Sequence, residues 1–297
     1  MRVSLRTVSF LVLGVFFFSN IITWGAVWDL NNPQVLEVNF LDVGQGDATL
    51  IKTPQNHQIL IDGGPDSSIL EKLGKEMPFW DRSIDLIILT HPHQDHLAGF
   101  IDVLKNYRVE NILWTGVSAN TAVFEQWERA IMAEEAKIYI AELRQKITAG
   151  QVILEVIHPF ESLEKEKFKD QADEEFGNTL IDKTSLVLLV SFKENTFLFT
   201  GDAPKSVEKE LMERPINLKA DVLKVGHHGS RTSTADEFLQ KVLPDFTVIS
   251  SGKKNRYGHP HQETLDTLKN YDISVLRTDQ QGDVEIISNG KNLRIHN

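Results

Sequence analysis

The sequence predicts a mixed α/β fold, a four-layer αββα sandwich preceded by an N-terminal hydrophobic helix. Three observations carry this. Short apolar runs rich in β-branched residues, bounded by Gly, Asn and Pro, recur from Val35 onward, which is the pattern of strands. Stretches of helical length separate many of them. The strand-rich segments form two halves with helices at their margins, as expected of two stacked sheets under outer helices.

Arg2 and Arg6 precede an uncharged run from Thr7 to Trp28 that contains Phe10-Leu11-Val12-Leu13-Gly14-Val15-Phe16-Phe17-Phe18. About 20 such residues can span a bilayer. The basic start, with Asp29 beyond the run, leaves the N-terminus in the cytoplasm. Residues 1–30 therefore read as a signal peptide or a retained membrane anchor, and both readings stay open. Trp24-Gly25-Ala26 puts a bulky residue at the −3 position of a cleavage site. Either way, residues 31–297, one folded domain after the linker Asn31-Asn32-Pro33, are expected to be extracytoplasmic.

Strands follow at 35–41, 48–52 and 58–62, with turns at Gly44-Gln45-Gly46 and Gln55-Asn56. A helix over 67–77 leads to a strand over 84–89, and Leu97–Tyr107 reads as a helix. The pattern continues with strand 111–114, helix 121–134 and strands 136–140 and 152–157. Residues 161–176, with many Glu and Lys, read as a solvated surface segment, with a mobile loop beside the site as the alternative. Strands 185–192 and 196–200 precede a helix over 204–212. Strand 221–225, helix 234–241, strand 246–250 and helix 261–270 follow, before a terminal hairpin of 273–277 and 283–288.

Net charge is −11. That argues against a protein that coats polyanions, which carries a basic footprint. It leaves a nuclease open, because bound divalent cations supply positive charge that the count omits. There is no cysteine, so any metal site is built from nitrogen and oxygen.

The chemistry is concentrated in His91-Pro92-His93-Gln94-Asp95-His96, directly after the apolar run Ile84-Asp85-Leu86-Ile87-Ile88-Leu89-Thr90. Imidazole and carboxylate are natural ligands of zinc, iron and manganese. The carboxyl end of a buried strand is where open α/β sheets place their sites. In extended chain His91, His93 and Asp95 point one way and His96 the other. One loop then serves two metals about 3.5–4 Å apart, the spacing used in metal-assisted hydrolysis.

This H-x-H-x-D-H motif after a hydrophobic strand resembles the metallo-β-lactamase superfamily, whose fold is a four-layer αββα sandwich around a dinuclear site. Further segments narrow the likeness. Val38-Asn39-Phe40-Leu41-Asp42-Val43-Gly44-Gln45-Gly46-Asp47-Ala48, Ile59-Leu60-Ile61-Asp62-Gly63-Gly64, Phe199-Thr200-Gly201-Asp202, Lys224-Val225-Gly226-His227-His228-Gly229-Ser230 and Tyr257-Gly258-His259-Pro260-His261 are similar to the soluble hydrolase domain of the ComEC family of DNA-uptake competence proteins. The resemblance runs from about residue 35 to the C-terminus.

By this resemblance His91 and His93 bind a first divalent ion, Asp95 and His96 a second, and Asp202 bridges them. Asp202 has an alternative role as cap of the helix opening at Pro204. Asp62 resembles the carboxylate that orients the metal loop, its alternative being a cap on the Gly63-Gly64 turn. The usual third His of the first metal is missing: Asn178, Thr179, Asp182 and Lys183 stand before the strand where it belongs. A weakly held first metal favours manganese over tightly bound zinc, and Asn178 becomes a candidate substrate contact. In the last third, the likeness to nucleases of the superfamily puts His228 and Ser230 on the substrate and His259 on the second metal. His261 is the alternative to His259 as that ligand, and His227 as ligand is the reverse assignment. His57, His158 and His296 read as structural.

The implied activity is two-metal hydrolysis of a phosphodiester, with zinc or manganese as cofactor and nucleic acid as substrate. The membrane is a partner through the N-terminal segment, and a channel protein is a further expected partner. No G-x-S-x-G nucleophile elbow is present. Two rivals remain: hydrolysis of a carboxylic ester, lactone or thioester, and a non-catalytic membrane-tethered module for DNA uptake.

Overall fold

The computed structural model describes residues 5–31, 34–164, 167–168 and 180–296. The chain divides into two compact units, Met1–Gln34 and Val35–Asn297. The first contains the helix Leu5–Asn31 (α1). Its Phe16, Phe17, Phe18 and Trp24 are exposed. Among the described residues no helix is long and apolar enough to cross a membrane.

The second unit begins with Leu36–Phe40 (β1), Thr49–Lys52 (β2), Gln58–Ile61 (β3), Ser68–Glu76 (α2), Ser83–Leu89 (β4), Gln94–Asn106 (α3) and Arg108–Trp114 (β5). It continues with Ser118–Ala119 (β6), Ala122–Ala133 (α4), Lys137–Ile140 (β7), Lys146–Ala149 (β8), Val152–His158 (β9), Lys167–Phe168 (β10), Val187–Phe192 (β11) and Asn195–Phe199 (β12). The remainder is Lys205–Met212 (α5), Val222–Lys224 (β13), Asp236–Val242 (α6), Phe246–Ile249 (β14), Gln262–Asn270 (α7), Ser274–Arg277 (β15), Thr278–Gln281 (α8), Val284–Ser288 (β16) and Leu293–His296 (β17).

Two large sheets form, ordered β17-β16-β1-β2-β3-β4-β5-β7 and β15-β14-β13-β12-β11-β9-β8. One apolar core lies between them, with Phe40, Ile88, Val190 and Phe199 all buried; the Phe40 and Phe199 rings stack across the gap at 5.9 Å. A second core seals the outer face of the first sheet under α2, α3 and α4, through Leu73, Phe100 and Trp127. A third seals the second sheet under α5, α6 and α7, through Leu211, Phe238 and Leu268. This is the expected αββα sandwich. β4 pairs in parallel with both β3 and β5, which explains why Leu86-Ile87-Ile88-Leu89 is buried on both faces.

The structure departs from the sequence reading in places that matter. α3 begins at Gln94, not Leu97. His93 is its extended N-cap, with φ −79° and ψ 151°, so Asp95 and His96 sit on the first helical turn. Strand alternation therefore does not apply beyond His93. The expected terminal hairpin is also divided: β15 joins the second sheet beside β14, and β16 joins the first beside β1. The short helix α8 carries the chain between sheets, and the hairpin that does form is β16 with β17. The polar segment 161–176 falls largely outside the described residues.

Candidate metal centre

The chemistry-bearing side chains converge at the carboxyl ends of the parallel strands, where loops from both sheets meet. β4 ends in Thr90 and His91. β12 ends before Gly201-Asp202, and β13 before Gly226-His227-His228. A 3-10 turn, Asp182–Thr184, precedes β11. α3 brings Asp95 and His96 up from below. That approach needs glycine at position 99, where a Cβ would overlap the Gly63 carbonyl.

Among the described residues, four overlapping groups of ligand atoms result. Two run through Asp47 (Asp47, Asp62 and His96; Asp47, Asp202 and His228), and the other two are built around the metal loop. In the first of these latter two, His91, His93, Asp182 and Asp202 place one atom each within 4.8 Å of one another. His93 Nδ1 lies 3.2 Å from Asp182 Oδ1, and His91 Nε2 lies 3.8 Å from Asp202 Oδ2. In the second, Asp95, His96 and His228 meet within the same distance. His228 Nε2 is 3.3 Å from Asp95 Oδ2 and 3.7 Å from Asp202 Oδ2. His96 Nε2 is 3.4 Å from that same Asp202 oxygen. Asp202 thus faces both groups from between them.

The surrounding hydrogen bonds set which ring nitrogen faces inward. Asp62, held at φ 58°, accepts from the Thr90 amide, the Thr90 hydroxyl and His96 Nδ1, each at 2.8 Å. With its proton given to Asp62, Thr90 Oγ1 accepts from His91 Nδ1 at 3.0 Å. His228 Nδ1 donates to the Ser250 carbonyl at 3.0 Å, with Asp47 Oδ1 at 3.2 Å. These acceptors assign the tautomers. His91, His96 and His228 each direct Nδ1 outward to an acceptor and turn Nε2 inward, the orientation of metal-binding histidines.

The donor set fits divalent cations. His96 Nε2, His228 Nε2 and Asp202 Oδ1 are buried with no hydrogen-bond partner. Each such group ordinarily costs about 1–3 kcal/mol, and here they face a common space. Burial would raise the Asp202 carboxyl, but His96, His228 and His227 around it hold it well below the carboxylate range. Burial lowers His228, yet Asp202 and Asp47 outweigh it and push the ring up to about 10. His96 is likewise raised, against burial, by Asp202 and Asp62. Protons and cations compete for these same nitrogen atoms.

Several sequence expectations change. His228, expected on the substrate, stands in the second ligand group. His259, expected as its ligand, is in none of the groups found among the described residues; its ring centre is 6.2 Å from that of His228 and 5.5 Å from that of His227. The reason lies in the turn: His227 and His228 both adopt left-handed backbone, at φ 49° and 54°, which brings His228 inward and leaves His227 at the rim. His227 Nε2 remains 3.8 Å from Asp202 and its Nδ1 3.3 Å from Thr232 Oγ1. Ser230 Oγ contacts Thr232 Oγ1 at 2.8 Å, so Ser230 braces this turn. His261 Nδ1 accepts from the Arg231 amide. Asn178 lies outside the described residues.

Residues outside the motif reading also contribute. Asp182 occupies the region where a third His was sought. Among Asn178, Thr179, Asp182 and Lys183 it is the one carboxylate. Asp47, the last polar residue of the Gly44-Gln45-Gly46 turn, is buried against His228 and against Lys224, whose Nζ is 2.8 Å from Asp47 Oδ2. A lone lysine in an apolar strand carries no sequence signal for such a role.

Residues 41–253 match the sequence profile described as Metallo-beta-lactamase superfamily. Among curated proteins, the chain is similar to ComE operon protein 3 of Bacillus subtilis (strain 168), 35% identical over 268 residues, covering 84% of this chain and 32% of that protein. It is similar to Recombination protein 2 of Haemophilus influenzae, 32% identical over 258 residues, covering 84% of this chain and 28% of the other. The matched stretch is therefore about a third or less of those relatives' length. Among solved structures, the metallo-beta-lactamase fold protein YhfI from Bacillus subtilis superposes with a TM-score of 0.54 over 84% of this chain and 99% of that one, at 14% identity. At that identity the likeness is one of fold.

Proposed function

Because the chain belongs to the metallo-β-lactamase superfamily of metal-dependent hydrolases, we propose that it is a two-metal phosphodiesterase acting on nucleic acid outside the cytoplasm. The observation that carries the reading is the pair of ligand groups facing one shared carboxylate, Asp202. His91, His93, Asp182 and Asp202 would hold one ion, and Asp95, His96, His228 and Asp202 the other. Divalent ions there supply Lewis acidity and lower the pKa of bound water towards neutrality.

The protein's own groups do the rest. Asp62 locks Thr90 and His96, which keeps the His91 and His96 imidazoles oriented before substrate arrives. Lys224 neutralises Asp47 beneath His228. His227, at the rim with 17% of its side chain exposed, is placed to act as general acid towards the leaving oxygen. Carboxylate in place of a third imidazole hardens the first group, which favours manganese over zinc.

Nucleic acid as substrate is supported by the likeness to Recombination protein 2, a protein named for a process on DNA. Location outside the cytoplasm rests on Arg2, Arg6 and the uncharged run behind them. The test is metal analysis combined with hydrolysis of bis(p-nitrophenyl) phosphate and of a single-stranded oligonucleotide. The expected result is bound divalent metal and cleavage of both substrates in manganese. Hydrolysis of a lactone or thioester with neither phosphodiester cleaved would overturn the proposal.

A further inference from the structure

The chain is acidic overall, yet residues 250–261 contain Lys253, Lys254 and Arg256 and no Asp or Glu. The three basic side chains are exposed, and so is the Tyr257 ring at 50%. This loop borders the metal centre: the His259 ring centre lies 6.2 Å from that of His228, and the Gly252 amide donates to Gln45 Oε1 at 3.1 Å. Rings lead away from the ligand groups along it. His227 meets His259 edge-on at 5.5 Å between centroids, and His259 stacks on Tyr257 at 5.7 Å with 22° between planes. Arg256 lies over the Tyr257 ring at 5.0 Å.

The loop is held in shape before any ligand arrives. Asn255 Oδ1 accepts from the amides of Tyr257 and His259, at 3.1 and 2.9 Å. Its Nδ2 donates to the carbonyls of Gly252 and His259. An exposed aromatic beside three cations at the rim of the metal centre is complementary in shape and charge to an unpaired base on an anionic backbone.

We infer that the loop Lys253–His261 is the platform on which a single-stranded polynucleotide lies as it enters the metal centre, with an unpaired base stacked on Tyr257 and the backbone phosphates beside Lys253, Lys254 and Arg256. Base stacking on aromatic rings together with a basic track is how single strands are held without sequence preference. Paired bases in a duplex present no free face to Tyr257, so the platform selects single strands. The inference rests on the nucleic-acid reading above and adds the strandedness and the residues that select it.

The test uses the full-length, manganese-loaded protein with bis(p-nitrophenyl) phosphate, a dT oligonucleotide and the same sequence in duplex form. Wild type should cleave the single strand faster than the duplex. Tyr257→Ala should lower kcat/KM on the oligonucleotide on the order of tenfold more than on bis(p-nitrophenyl) phosphate, and Tyr257→Phe should restore it. Lys253→Ala/Lys254→Ala should flatten the salt dependence of oligonucleotide binding, by about 0.7 in log–log slope for each phosphate no longer neutralised. Equal losses on both substrates in Tyr257→Ala, or equal cleavage of single strand and duplex by wild type, would overturn the platform. If wild type hydrolyses no phosphodiester at all, the catalytic reading fails separately. Fluorescence anisotropy with labelled dT then decides the platform: weaker binding by Tyr257→Ala supports it, and no binding by wild type overturns it.

Discussion

Asp62 Oδ2 accepts the Nδ1 proton of His96 at 2.8 Å, and through this bond the end of one strand sets the tautomer of a ligand on the neighbouring helix. The same carboxylate holds Thr90 through both its amide and its hydroxyl. Asp62→Ala should therefore loosen His91 and His96 together. The expected loss is about 10–100-fold in metal affinity, the usual consequence of removing an orienting partner. Titration with manganese followed by activity measurement checks it. Unchanged affinity would mean that the metal loop holds its own shape.

Gly99 lets α3 lie against Gly63-Gly64, where its amide donates to the Gly64 carbonyl at 3.0 Å. A methyl group there meets backbone rather than a movable side chain. Gly99→Ala should destabilise by about 1–3 kcal/mol, as overpacked sites do, and displace Asp95 and His96 as the helix shifts. Urea unfolding with parallel metal analysis measures both. A wild-type midpoint would show that the helix accommodates the methyl group.

The metal loop was legible because its ligands lie within six consecutive positions, His91 to His96, behind a strand buried on both faces. Such clusters depend on local chain geometry alone. What the sequence left obscure depends on contacts between distant segments. Asp182 and Asp47 join the site only when the turn before β11 and the loop after β1 close over it. The pairing of Lys224 with Asp47 spans both sheets. The helical start at Gln94 was hidden because His93 caps the helix without a side-chain hydrogen bond. β15 and β16 both carry a strand pattern, and that pattern does not say which sheet each joins.

Lys224 and Asp47 form a buried pair, both nearly inaccessible. Removing one partner of such a pair leaves an uncompensated charge and typically costs about 3–5 kcal/mol. Lys224→Met should destabilise on that scale, and Lys224→Met/Asp47→Leu should recover part of the loss. Chemical denaturation of both variants is the measurement. Additive losses in the double variant would deny the coupling.

Two buried groups outside the metal centre should give opposing pH dependences. Burial pushes Glu208 up to about 7 from 4.5, although it accepts from the Thr234 and Ala235 amides. The native state then holds a proton that the unfolded chain has lost, so the stability from Glu208 is complete below about pH 4.5 and is lost as pH rises through 7. Burial pushes His158 down to about 4 from 6.5, so its contribution is complete above about pH 6.5 and is lost as pH falls through 4. Each is worth roughly 3 kcal/mol across its window. Relative to wild type, Glu208→Gln should remove the fall in stability between about pH 5 and 7, and His158→Gln the fall on acidification. Unfolding midpoints measured at a series of pH values check the two signs. Identical pH profiles for both variants and wild type would refute them.

His227, His228 and His259 should separate by what is lost first. His228 presents Nε2 to Asp95 and Asp202, so His228→Ala should lose metal, with activity falling as a consequence. His227 stands at the rim, and its removal leaves Asp182 and Asp202 to their other partners. His227→Ala should keep near-normal metal content and lose on the order of 10²–10⁴-fold in kcat, the range of a general acid. His259 stacks on Tyr257 outside both ligand groups, so His259→Ala should retain its metal and weaken oligonucleotide turnover more than turnover of bis(p-nitrophenyl) phosphate. Metal content by elemental analysis, with kinetics on both substrates, distinguishes the three. A whole equivalent of metal missing from His259→Ala, with His228→Ala fully loaded, would restore the assignment expected from the sequence and displace the one drawn from geometry.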